Sequence, residues 1–207
     1  MIGAIIVGLT AFSLLLQNCH PVDPRYRSEV QTLTRIAEIA SATTALASDL
    51  ALGGSPRATL LRLRDTKGDG VGLDDGNETN RGIETLFIAL HLKGLAIRID
   101  LPDDAIGNTD GDPLTSNPTQ LDITGRLEIL DGWGNPLAYF SAADYADPGA
   151  FSKIRMGEES GGEVAVAKPW KRKTGQFVNP RTFQVFSAGP DGIFNTEDDI
   201  GNWVYEP

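Results

Sequence analysis

The sequence predicts an α+β domain: an apolar N-terminal helix, then an amphipathic helix packed on a small antiparallel sheet, with an acidic loop at the C-terminal end. Three observations carry that expectation. Apolar and small residues recur at three- and four-residue steps from Ser28 to Leu52, the period of one helix face. Later short runs alternate apolar with polar residues, the period of a strand with one buried face. The helix comes first and the strands follow, without the strand–helix–strand alternation that builds a parallel sheet.

Residues 2–16, IGAIIVGLTAFSLLL, carry no charge and only Thr10 and Ser13 as polar side chains. The run is shorter than the ~20 apolar residues that span a bilayer comfortably, and no basic segment precedes it. Three readings are open. It is a cleaved signal, with Leu16-Gln17-Asn18-Cys19 faintly resembling a lipoprotein processing site; or a buried core helix; or the membrane helix of a subunit whose start lies upstream. Pro21 and Pro24 interrupt any helix leaving it. Residues 1–24 are therefore expected to be a membrane segment and junction, and 25–207 a globular domain.

The first domain helix is expected to bury Val30, Leu33, Ala37, Ala40, Thr44, Ala47 and Ala51, with Ile36, Ile39, Leu46 and Leu50 widening the stripe. Ser28 is its expected cap, and Gly53-Gly54 followed by Pro56 its stop. Asp65 to Glu78 superficially has the spacing of a calcium loop, but Lys67 takes a ligand position and no closing Glu falls in place, so it reads as a solvated loop. Asn80 is the expected cap of a second helix, Ile83 to Leu92, with His91 a partner for its C-terminal dipole. Strands are expected at Leu95–Leu101, Leu127–Ile129, Leu137–Phe140, Val164–Val166 and Phe183–Val185. The acidic loop 102–118 is long enough to be a functional insertion or a mobile flap. Lys168–Lys173, KPWKRK, is the basic cluster. Its Trp170 is either a partner- or lipid-facing ring or one anchored Trp in an exposed loop.

Composition removes several function classes. A net charge of -10 over 207 residues opposes nucleic-acid binding, which needs clustered Lys and Arg. A single cysteine, Cys19, excludes an intrachain disulfide. No phosphate loop, dinucleotide fingerprint, zinc-protease motif or nucleophile elbow is present. His20 and His91 are the only histidines, and neither has a supporting motif. The chain is not expected to be an enzyme; an acid-pair hydrolase is the weaker class.

The stretch Phe183–Trp203, FQVFSAGPDGIFNTEDDIGNW, begins as a strand and ends as an acidic loop. Pro190 stops the strand, and Gly189 and Gly192 permit tight turns. Crowded carboxylates repel unless solvated or sharing a cation, and a hard cation such as Ca²⁺ suits them. The expected side-chain ligands are Asp191, Asp198, Asp199 and Asn195, with backbone carbonyls near Ala188 completing the shell.

Ser-x-Gly-x-Asp-Gly, a polar spacer and Glu-Asp-Asp-Ile-x-x-Trp resemble the calcium-loop end of the major pseudopilins of type II secretion systems. Asp131-Gly132-Trp133-Gly134-Asn135-Pro136 resembles that family's Asp-Pro-Trp-Gly-Asn-Pro segment, with Gly132 where the family has Pro. The resemblance covers roughly the C-terminal third. It implies a pilin-like domain facing the periplasm from the bacterial inner membrane. It also implies homo-oligomeric filaments, assembled with other pseudopilins, that serve protein secretion. The alternative is an envelope-anchored calcium-binding lipoprotein without a filament role. Trp133 is expected to be a buried ring seated by a structural turn.

Overall fold

A computed structural model of the chain describes residues 23–53, 79–90, 99–111, 127–142, 144–146 and 152–203. The apolar N-terminal run, the Asp65–Glu78 loop, His91, and the start of the strand expected from Leu95 lie outside the described residues. No helix among the described residues is long and apolar enough to cross a membrane.

Helix α1 spans Pro24–Gly53 and starts a turn earlier than Ser28. Pro24 occupies the first helical position, where its missing N–H costs nothing. Asp23, rather than Ser28, serves the exposed end: its Oδ1 accepts the Arg25 N–H at 3.0 Å and its carbonyl accepts that of Arg27 at 3.1 Å. The buried face also differs from the expected stripe. Thr32, Arg35, Ile36, Ile39 and Thr43 are buried, whereas Val30 and Leu33 are exposed. Thr32 and Arg35 are accommodated on that face by hydrogen bonds across the interface, which apolar periodicity alone does not register.

Helix α2 spans Arg81–Leu90 and buries Ile83, Leu86, Phe87 and Leu90 as predicted. Gly82 permits its approach to the sheet, since a Cβ there would lie 2.7 Å from the Tyr139 carbonyl oxygen. Seven short strands follow among the described residues: β1 Ile106–Gly107, β2 Glu128–Ile129, β3 Ala138–Ser141, β4 Ser152–Arg155, β5 Val164–Ala167, β6 Phe183–Ser187 and β7 Ile200–Gly201. They form three antiparallel sheets, β1-β2, β3-β6-β7 and β4-β5. This mixture of helices and small antiparallel sheets agrees with the α+β expectation. Ile99 to Leu101 are not in a strand. Leu101 instead packs into the core, as does Ala105 in the 3₁₀ turn Asp103–Ala105.

Strand β6 is buried along its whole length, not on one face only. Phe183 and Val185 join the core beneath α1 and α2. Phe186 joins a second cluster with Phe140, Ile154, Met156 and Phe194. Gln184 is also buried; its amide donates to the carbonyls of Trp170 (3.0 Å) and Val178 (2.7 Å) and accepts the Trp170 N–H (2.6 Å). A central strand covered on both faces needs such a polar residue to have all its partners supplied.

Candidate functional site

The joint between helix and sheet is built on Asp131. Its Oδ1 accepts the backbone N–H groups of Trp133 (2.8 Å) and Asn135 (2.9 Å), and its Oδ2 accepts the Ser187 hydroxyl at 2.6 Å. Arg35 of α1 donates to the carbonyls of Leu130 (3.1 Å) and Asp131 (2.5 Å) and pairs with exposed Asp104 at 2.9 Å. Burial pushes the Asp131 carboxyl up, while its hydrogen bonds and the Arg35 charge pull it down; the net direction is upward. Asn135 extends the joint by accepting the Gly157 N–H at 3.1 Å.

Gly132 is required by this contact. Its N–H donates to Thr32 Oγ at 2.8 Å, and a Cβ on it would lie 2.1 Å from the Ser28 carbonyl oxygen. Proline at this position would lack the donor and collide with the helix. Trp133 is only partly buried, contrary to expectation. Its ring lines a cavity of about 270 Å³ with Asn135, Glu159, Ser160, Pro190 and Asp191. Of the glycines beside it, Gly132 serves the backbone's approach to α1 and Gly134 supplies the turn's φ of +79°; neither encloses the ring.

The C-terminal loop separates its predicted ligands into two groups. Asp191 and Asp198 converge on Thr196, whose hydroxyl reaches Asp198 Oδ1 at 2.5 Å and Asp191 Oδ2 at 3.3 Å. Asp198 Oδ2 also accepts the Asp191 N–H at 3.2 Å. Burial raises the Asp198 carboxyl, but the hydrogen bonds from Thr196, Asp191 and its own backbone together outweigh it and hold the group below its ordinary value. Ala188 is buried at the start of the turn. Gly189, at φ +65°, brings that turn onto the Asp198 carbonyl.

Asn195 and Asp199 face the basic cluster instead. The Asn195 carboxamide accepts the Lys168 N–H and donates to the Lys168 carbonyl, both at 2.8 Å. Asp199 Oδ2 accepts the Trp170 indole N–H at 2.6 Å and the Asn195 N–H at 2.8 Å. Burial lifts its carboxyl to about 6 against those bonds. Trp170 is thus a partly buried, anchored ring, packed against Trp203 at 5.9 Å. In this arrangement Asp191 and Asp198 lie together around Thr196, while Asn195 and Asp199 tie the loop to the segment that follows Ala167.

A second acidic group was not legible in the sequence. Among the described residues, Glu84, Asp110 and Glu128 bring carboxylate oxygens within 4.8 Å of one another and could hold a metal ion. They come from α2, the loop after β1, and β2. Glu128 Oε1 accepts the Asn80 amide at 2.8 Å, and Oε2 accepts the Thr109 N–H at 3.0 Å. Thr79 donates to Asp110 Oδ2 at 3.1 Å. Burial, with the Asp110 charge beside it, raises the Glu128 carboxyl to about 7 despite these bonds. A bound proton or a bound cation would relieve the same repulsion. Asn80 is thus more than a helix cap: its carbonyl accepts the Glu84 N–H at 3.1 Å, while its side chain serves this cluster and the Arg155 N–H. The described part of the 102–118 loop brings Thr109 and Asp110 to this group.

No family model, curated protein or solved structure matches this chain.

Proposed function

We propose that the chain is a structural subunit of a type II secretion pseudopilus or a related pilin-like filament. Residues 1–24 hold it in the bacterial inner membrane, the domain faces the periplasm, and its partners are further copies and other pseudopilins. Ca²⁺ secures the C-terminal loop through Asp191, Asp198 and nearby carbonyls. It takes roughly six to eight oxygens, so water completes the shell.

One observation carries this reading. Tyr26, Val30 and Leu33 are 50%, 39% and 50% exposed and fall on one stripe of α1, in the half of the helix that follows the apolar N-terminal run. A contiguous exposed apolar stripe marks an interaction surface, and its position suits packing between the helices of neighbouring subunits. The Asp131 joint supports the reading by fixing that helix rigidly to the sheet, as a stacking subunit requires.

The test is Leu33→Asp, alone and with Val30→Asp, in the full chain. Filaments seen by electron microscopy should be lost, while the melting temperature stays within the small range of surface substitutions. Filaments that assemble normally, or a chain that never assembles yet binds Ca²⁺ in calorimetry, would replace the filament with the anchored calcium-binding protein.

A further inference from the structure

The two edges of the β4-β5 hairpin are treated differently. On the β4 edge, the Lys153 carbonyl accepts the Asn80 N–H at 2.8 Å. Arg155 donates its N–H to Asn80 Oδ1 at 3.0 Å and accepts the Thr109 hydroxyl at 2.9 Å. That edge is closed. On the β5 edge, the Met156 N–H donates to the Glu163 carbonyl at 2.9 Å, and Ile154 faces Ala165 and Arg155 faces Val164. In an antiparallel ladder the hydrogen-bonded pairs alternate, so the N–H and C=O groups of Val164, Val166 and Lys168 all point away from β4. Asn195 closes the position at Lys168 with a carboxamide that mimics a strand partner. Among the described residues nothing pairs with Val164 or Val166. Their side chains are 47% and 49% exposed.

An open edge bearing apolar side chains is a template for another strand. The charges on the hairpin choose the strand. Glu158, Glu159 and Glu163 are exposed at its turn end, and Lys168, Lys171 and Lys173 at its other end. Antiparallel pairing of two copies sets the acidic end of each beside the basic end of the other, twice. Parallel pairing would set like against like. The open length is also self-matched. A two-fold pairing about Ala165 places Val164 opposite Val166 of the second copy and reciprocally, satisfying the outward groups of both valines without displacing Asn195.

We infer that β5 is a self-association edge, pairing antiparallel with β5 of a second copy of this chain in the register Val164 opposite Val166. The contact uses no residue of the α1 stripe, so it is a second interface that goes beyond the filament reading.

The register is testable by disulfide trapping of the full chain in detergent with Cys19→Ser. Hydrogen-bonded antiparallel pairs place Cα atoms about 5.5 Å apart, inside the roughly 4.4–6.8 Å that a disulfide accepts. Diagonal neighbours at about 7–8 Å fall outside it. Val164→Cys and Val166→Cys, mixed and mildly oxidised, should form a covalent dimer that neither forms alone. Glu158→Lys with Glu159→Lys, placed in both Cys variants, should abolish it. Adding Lys168→Glu with Lys171→Glu to the same chains should restore it. Glu158, Glu159 and Lys168 are exposed, and Lys171 gives up only its contact over the Phe177 ring, so melting curves should stay close to those of the Cys parents. Equal cross-linking in the mixture and in each variant alone, or none in any of them, overturns the inference. Leu33→Asp should leave the cross-link intact, which separates a failure of this edge from a failure of the filament.

Discussion

Asp131 and Glu128 lie three residues apart, with relative exposures of 1% and 0%, and burial drives both carboxyls upward. Each accepts backbone and side-chain hydrogen bonds. What differs is the charge beside them. Asp131 has the Arg35 guanidinium, which favours its ionised form. Glu128 has Asp110, which opposes it, with Glu84 completing the acidic group. Equal burial thus yields two kinds of site. One is a joint whose carboxylate has hydrogen bonds and a guanidinium charge to set against its burial. The other invites a proton or a cation, because ionising it without one adds repulsion to the cost of burial.

The largest expected effect tests the first half of that contrast. Asp131→Ala should destabilise by about 3–5 kcal/mol, the range for breaking a buried charge network by removing one partner. Glu128→Gln removes the charge but leaves one acceptor where the carboxylate offers two, to Asn80 and Thr109, and at pH 8 it should cost clearly less than Asp131→Ala because the repulsion with Asp110 is relieved. Chemical denaturation of both variants measures the difference, and equal losses would erase the distinction. Next comes Gly132→Pro, which deletes the bond to Thr32 and drives the ring into the Ser28 carbonyl. The loss should be on the order of 2–3 kcal/mol. Gly132→Ala keeps the donor and should lose less, unless the helix cannot shift at all.

Calcium sharpens the contrast from the other side. Ligand binding to the folded state alone contributes about 2.7 kcal/mol at a hundredfold excess over Kd. Thermal melts should therefore rise with added Ca²⁺ and fall with chelator. Asp198→Ala should abolish that response, while Asn195→Ala should lower stability in calcium and chelator alike. A response that survives Asp198→Ala but vanishes in Glu84→Gln would move the cation to the second acidic group.

The smallest effect per step is that of pH. Glu128 is raised from 4.5 in the unfolded reference to about 7 in the fold, so the folded state holds more protons between those values. Its contribution is fully present below pH 4.5 and is lost as pH rises through about 7, by at most about 1.4 kcal/mol per pH unit. Glu128→Gln should flatten this part of the stability profile. Asp131→Asn should lower the whole profile as well, because it removes an acceptor of the joint and that loss persists at every pH.

Local features were legible because they depend on neighbours along the chain. The apolar face of α2 reads directly from Ile83, Leu86, Phe87 and Leu90. Strands β3, β5 and β6 fall within a residue or two of their sequence positions, and the Asp131 and Asp191 turns were visible from their Gly and Pro spacing. The buried face of α1 was misplaced because Thr32 and Arg35 are polar. They are buried only where Gly132 and the carbonyls of Leu130 and Asp131 meet them across roughly a hundred residues of sequence. Asn195 and Asp199 are near Asp191 in sequence, yet their hydrogen-bond partners, Lys168 and Trp170, lie in the segment after β5, roughly thirty residues away.

The sequence by itself determined the order of helix and strands, the positions of the sharp turns and the acidic character of the C-terminal loop. Each follows from backbone preference or periodicity over a few residues. Only the tertiary structure decided which carboxylates meet, which are neutralised and which edge of a hairpin is left open. Glu84, Asp110 and Glu128 converge from separate elements, Arg35 reaches Asp131 but not Glu128, and Asn195 closes the β5 edge at Lys168 alone. Electrostatic and hydrogen-bonding outcomes follow distances through space, and those distances exist only once the chain has folded.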